Sequence, residues 1–319
     1  MLKLLAVSAV ALTACTAAAS EAPREIPSTF DWQITPSDKE DAAKGEVQFQ
    51  FGYKTEHHSS MWSSDTPLAK LDGLTAGQLA SGGQPVAFAL HRDAGDFHCK
   101  GVAGEGRGLG ACVYAANPAF AAELGKRGVG APDAGQQFTL AMHDMGYAYL
   151  DELKRQRYAT PTAEDMVRAA EHGAGMRQLV AMDQAGYRFG TVGELVRVRD
   201  HGVSARFVGE LKAHGYAGLK ADDLVRLRDH GVSAGYITQM SDLGYHKIGI
   251  EDLAKLRDHG VSASFVAELK GQGYENLSPE TLEKMRDHGI SIGFVQRANR
   301  DGAKHTPEEL IQMRDRGDH

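Results

Sequence analysis

The sequence predicts an α+β protein in two parts, a small antiparallel β domain followed by an all-α solenoid of two-helix repeats. Three observations predict this. Arg-Asp-His-Gly recurs from Arg199, Arg228, Arg257 and Arg286, each copy 29 residues after the last. Upstream, short segments alternate apolar with polar or small residues, the period of two that marks a strand with one buried face. Within each 29-residue unit, capping residues bracket two apolar stretches of helical spacing. A recurrence of this length marks supersecondary units that bury their apolar faces only against their neighbours.

At 319 residues the chain has room for about two domains. Its 42% hydrophobic and 24% charged content is that of a globular protein, which excludes general disorder. The net charge of -7 gives no basic excess, so nucleic acid is an unlikely partner. Met1-Leu2-Lys3 and the apolar run from Leu4 to Ala14 have the charged start and short core of a secretory signal. That run is too short to span a bilayer as a helix. Leu12-Thr13-Ala14-Cys15 resembles the lipobox of bacterial lipoproteins, which implies cleavage before Cys15 and its acylation. The alternatives are ordinary cleavage after Ala17-Ala18-Ala19, or a chance cysteine. Residues 1–15 therefore read as a signal and 16–28 as a linker. The expectation is an exported, periplasmic protein held to the membrane by a lipid on Cys15.

Residues 29–116 form the β domain. Five strands are expected, around Phe30 to Ile34, Val47 to Tyr53, Val86 to Leu90, Asp96 to Gly101 and Leu109 to Tyr114, arranged as a sandwich or half-barrel. Thr75 to Leu79 reads as one helical turn. Cys99 and Cys112 flank a glycine-rich turn, and the register that faces them also faces Phe97 with Tyr114. In an oxidising compartment this predicts a cross-strand disulfide; the alternative is two thiols buried as small hydrophobes. The run from His57 to Asp65 gathers imidazoles, hydroxyls and a carboxylate, but adjacent histidines on a strand point to opposite faces and rarely share an ion. It is read as an exposed polar loop able to serve as a contact site.

After a helical connector at 117–141, the array occupies 142–319. His143, His172, His201, His230, His259 and His288 share one column, and Tyr158, Tyr187, Tyr216, Tyr245 and Tyr274 another. The first helix of each unit starts after Thr162, Thr191, Ser278 or Thr306. Thr191 with Glu194 and Thr306 with Glu309 have capping-box spacing, and Pro279 and Pro307 stand at the first helical position. The helix ends at the His-Gly step, where Gly202, Gly231, Gly260 and Gly289 can turn left-handed. Ser204, Ser233, Ser262 and Ser291 then cap the second helix.

Several motifs suggest chemistry and are outweighed. Gly231 to Gly235 and Gly289 to Gly293 match the nucleophile elbow of serine hydrolases, which needs a strand before the serine; here a helix precedes it, and capping explains every copy. The histidine column cannot share a metal, because successive layers of packed helices lie about 8–10 Å apart. Its first reading is a helix-end role, its second a joint response as the imidazoles charge between about pH 5 and 7. Two basic columns, Arg168, Arg197, Arg226, Lys255 and Lys284, and Arg199, Arg228, Arg257 and Arg286, form solvated ridges. The second is the candidate interaction ridge for an extended anion, unless Asp200, Asp229, Asp258 and Asp287 neutralise it. No catalytic, cofactor-binding or metal-binding residue is assigned.

Phe88 to Cys99, Gly73-Leu74-Thr75 and the units of the form LxxLRxHGVSxxFVxELKxxGY resemble the extracytoplasmic portion of some antirepressor-type sensor metallopeptidases. The peptidase helices and zinc motif are missing, so the resemblance implies sensing or binding and no protease activity. The expected function is non-enzymatic: the β domain and the concave face of the array bind a protein, peptide or envelope component. The alternative is a structural spacer that holds the β domain away from the membrane.

Overall fold

The structure, a computed structural model, describes residues 26–36, 45–54, 59–300 and 302–317. Cys15, His57 and His58 lie outside the described residues. Six strands, β1 (Phe30–Pro36), β2 (Glu46–Lys54), β3 (Ser59–Pro67), β4 (Gln84–Leu90), β5 (Gly95–Gly104) and β6 (Arg107–Ala116), form one sheet in the order β3-β2-β1-β6-β5-β4. Every neighbouring pair is antiparallel. Among the described residues there is one sheet and no second, so of the two expected arrangements the sandwich is excluded.

The sixth strand, β3, corrects the reading of the run ending at Asp65 as a loop. Its serines carry no strand signal of their own, and pairing supplies one: Trp62 lies opposite Phe51, and Ser63 opposite Gln50. Trp62 turns inward and lies against the rings of Phe51 and Tyr53. The outward residues Met61, Ser63 and Asp65 keep the period of two.

One face of the sheet is an aromatic core of Phe30, Trp32, Phe49, Phe51, Phe88 and Phe97. Trp32 fits because the strands beside it carry glycine. A Cβ on Gly101 would lie 2.7 Å from Trp32 Cζ2, and one on Gly110 2.8 Å from its Nε1. The indole Nε1 donates to the Lys100 carbonyl at 3.2 Å. Cys99 lies directly opposite Cys112 and is disulfide-bonded to it, and Phe97 lies opposite Tyr114. The short helix α1 (Ala76–Leu79) begins at Thr75 with a complete capping box and adds Leu79 to the core.

Fourteen helices follow: α2 (Pro118–Lys126), α3 (Ala134–Met142), α4 (Tyr147–Arg155), α5 (Ala163–Glu171), α6 (Met176–Gln184), α7 (Val192–Asp200), α8 (Ala205–Ala213), α9 (Ala221–Asp229), α10 (Ala234–Asp242), α11 (Ile250–Asp258), α12 (Ala263–Gly271), α13 (Pro279–Asp287), α14 (Ile292–Ala298) and α15 (Pro307–Asp315). Pro118 stands 29 residues before Tyr147, and Ala134 29 before Ala163. The stretch read as a connector is thus already in phase with the repeat. Odd-numbered helices from α3 to α15 pack in one row and even-numbered helices from α4 to α14 in a second. Each unit gives one helix to each row, as in a solenoid.

The caps explain why helices form where they do. Ser204, Ser233, Ser262 and Ser291 each accept the backbone N–H three residues on, and Thr306 with Glu309 closes a full capping box. Thr191 accepts from Glu194 N–H, but the Glu194 carboxylate turns to Arg197 instead of returning. At the other end Gly202 has φ +71°. Gly202 N–H donates to the Arg199 carbonyl and Val203 N–H to that of Val198, the Schellman pattern that satisfies a helix's last carbonyls.

The two parts are joined through α3, whose Phe138 packs on Phe30, Tyr53 and Tyr114 of the sheet. Gln137, buried, donates to the carbonyls of Ala94 and Asn117 at 2.7 Å each. Asp93, in the turn before β5, accepts the N–H of Tyr147 at the start of α4, and Arg92 pairs with Asp144.

Candidate functional site

The array spends its conspicuous side chains on holding successive repeats together. In the histidine column, Nδ1 of His172, His201, His230 and His259 meets Asp200, Asp229, Asp258 and Asp287 of the next unit at 2.5 to 2.7 Å. His288 meets Asp315 at 2.8 Å. Rather than pairing with the neighbouring arginines, these aspartates hydrogen-bond the preceding unit's histidines. The column is also not uniform. His143 packs edge-on against Trp62 with ring centroids 5.5 Å apart, and burial, with Arg92 nearby, pushes its pKa down to about 4. His259 is shifted the other way by its hydrogen bond to Asp287.

The arginine column does not form a free ridge. Arg228, Arg257 and Arg286 fold over the rings of Phe207, Tyr236 and Phe265 of the preceding unit, with guanidinium carbons 5.2, 4.9 and 5.0 Å from the ring centroids. The stacking is cation–π in kind, and Arg257 Nε also donates to the Gly231 carbonyl. Arg199 differs because Gln178 stands where the other units carry a ring, and it remains exposed. In the other basic column Arg197 pairs with Glu194 and Asp222, Arg226 with Glu251, and Lys284 with Glu280.

The tyrosine column clips the array from the loop side. Tyr216, Tyr245 and Tyr274 donate to the carbonyls of Ile248, Leu277 and His305, each in the next unit. Tyr158 and Tyr187 accept the N–H of Phe189 and Leu219. Among the described residues no group of three or more His, Cys, Asp or Glu is placed to hold a metal ion. No helix among them is long and apolar enough to cross a membrane.

What remains without a structural task is the outer face of the sheet. Helix α3 and the segment around α1 cover the aromatic face, and no described element covers the other. Of the five exposed large hydrophobic residues among the described residues, four stand there: Met61 (76% exposed), Leu109 (67%), Val113 (54%) and Val102 (52%). Register brings them together. Leu109 lies between Gln33 and Val102, and one row further along run Met61, Gly52, Asp31, Ala111, Lys100 and Ala87 across all six strands. Because Gly52 has no side chain, the face dips between Met61 and Leu109 into a hollow of about 530 Å³. An exposed apolar patch on a monomer's surface marks an interaction site more often than chance.

No protein-family model, curated protein or solved structure matches this chain. Its candidate site therefore rests on geometry alone. The sequence reading looked to loops and to the array and missed this face. One signal was present: β5 and β6 carry apolar residues in both parities, Val102 beside Cys99 and Leu109 beside Cys112. The water-facing side of these strands is thus only partly polar, with Val102 following His98 and Lys100 on β5 and Leu109 and Val113 flanking Ala111 on β6.

Proposed function

We propose that this is an exported, non-enzymatic interaction or sensing protein, lipid-anchored through Cys15, that engages a protein, peptide or envelope component through the outer face of its β sheet. The helical array is the scaffold. The observation that carries this reading is the concentration of Met61, Leu109, Val113 and Val102 on one uncovered face, while the array's arginine, histidine and tyrosine columns, Arg199 and His143 apart, are engaged between repeats. Burying such a side chain fully is worth about 1.5–3 kcal/mol, so a few of them suffice for a specific contact. The Cys99–Cys112 disulfide supports an oxidising compartment. The spacer reading is supported by the same inter-repeat contacts and describes what the array does for the sheet.

Chemical cross-linking in cells tests the reading. A cross-linked species is expected with the wild type, retained by Glu268→Arg on the exposed side of α12, and lost with Leu109→Asp. Loss with Glu268→Arg and retention with Leu109→Asp would move the site to the array. Cys15→Ser should shift the protein from the membrane to the soluble periplasmic fraction; an unchanged distribution would remove the lipid anchor.

A further inference from the structure

We propose that the outer sheet face pairs with the same face of a second copy of this chain, sheet on sheet, about a two-fold axis that runs along β6. The proposal rests on the reading of that face as an interaction surface and names its occupant. The argument is charge and shape in one row of residues. Asp31 on β1 and Lys100 on β5 both lie opposite Ala111 of β6, one on each side. Both side chains are exposed, and neither has an ion-pair partner among the described residues. Two strand spacings separate them, and their side chains stand perpendicular to the sheet, toward whatever faces it, rather than toward one another.

A two-fold axis parallel to β6 changes that. Rotation about it lays β1 of one copy over β5 of the other at the same height, so Asp31 faces the second copy's Lys100, and Lys100 its Asp31. An isologous interface forms each such contact twice. The same rotation lays β4 over β2 and brings Ala87, a small residue of that row, over the hollow at Gly52. On the axis Leu109, Ala111 and Val113 meet their own counterparts. Packed sheets lie about 10 Å apart with strands within about 30° of each other, a gap that a lysine and an aspartate bridge together.

The area is sufficient. The five strands that overlap, β2, β1, β6, β5 and β4, offer roughly 700 Å² per copy at a strand spacing of about 4.8 Å, close to the 800 Å² or so that each partner gives to a standard interface. The edges support stacking over edge pairing, since β4 carries Pro85 and is bridged at Ala89 to Asp72.

Sedimentation velocity of the full chain at about 100 µM, where a low-micromolar Kd gives mostly dimer, tests the proposal. The wild type is expected to be dimeric. Asp31→Lys alone and Lys100→Asp alone place like charges opposite each other and should be monomeric, with far-UV circular dichroism unchanged because both positions are exposed on the single chain. Mixing the two variants sets a lysine of one copy against an aspartate of the other at both contacts, and should restore a dimer. A monomeric wild type, charge variants that dimerise like the wild type, or a mixture that stays monomeric would each overturn it. If the wild type is monomeric and Leu109→Asp still abolishes a cross-link to another protein in cells, only the second copy as occupant fails. If no cross-link depends on Leu109 either, the interaction face fails with it.

Discussion

Arg257 lies over the ring of Tyr236, its guanidinium carbon 4.9 Å from the ring centroid, while its Nε donates to the carbonyl of Gly231. One side chain thus ties the first helix of a unit to the second helix and the corner of the unit before it. Equivalent stacks at Arg228, Arg286 and Arg314 repeat the ring contact along the array. Arg257→Lys keeps the charge but loses the planar stack and the fixed donor, and should lower stability by about 0.5–1 kcal/mol. Urea unfolding of this variant beside Arg257→Ala measures it; equal stability of Arg257→Lys and wild type would deny the stack any role.

Gly231 sits at φ +69° in the Schellman turn that ends α9. Gly231→Val should cost about 1–2 kcal/mol, because a β-branched residue resists that conformation. Gly231→Asn should cost distinctly less. Asp144 holds positive φ at the corresponding end of α3, so the turn tolerates a side chain that bears the conformation. Thermal melts of the pair check the ordering.

His143 and His259 belong to one sequence column and should titrate in opposite senses. The His259 pKa is raised by its hydrogen bond to Asp287, with Glu283 and Asp258 adding to the field. Its charged form stabilises the fold fully below the ordinary value of 6.5, and that contribution is lost as pH rises through the raised value. His143 is depressed to about 4 by burial, then by Arg92. Stability tied to its neutral ring is present above 6.5 and is lost as pH falls toward 4. NMR of the ring nitrogens near pH 5.5 should find His143 neutral and His259 charged, and Asp287→Asn should lower only the latter's midpoint. A common midpoint for both would contradict the assigned environments.

The slot for Trp32 predicts a large effect from a small change. A Cβ at Gly110 would meet Trp32 Nε1 at 2.8 Å and the Lys100 carbonyl at 2.1 Å, so Gly110→Ala must displace the indole or the strand. Overpacking of this kind costs about 1–3 kcal/mol. Urea unfolding should show that loss together with altered tryptophan fluorescence; an unchanged midpoint would mean that the strands yield freely.

The parts legible in the sequence are those written locally. Caps at Ser204, Ser233, Ser262 and Ser291 and the glycine that follows each His lie within a few residues of the bonds they make, so period and spacing reveal them. Contacts between units were harder to read. Arg228 meets Phe207, 21 positions back in the other row of helices, and His201 meets Asp229, 28 positions on. Each column looked like an independent ridge until its partner column was known. β3 escaped notice because its serines take strand form only against β2. Alternation in β1 and β2 records which face is covered, but that Leu109, Val102, Val113 and Met61 share the other face follows only from the register of strands far apart in sequence.

The central claim is that recognition belongs to the outer face of the sheet and not to the array. A photoreactive amino acid placed in cells at position 109, and separately at position 268 on α12, tests it most directly. The account predicts a specific adduct from position 109 that disappears when Val102→Asp is added, and none from position 268. An adduct from position 268 with none from position 109 would contradict it.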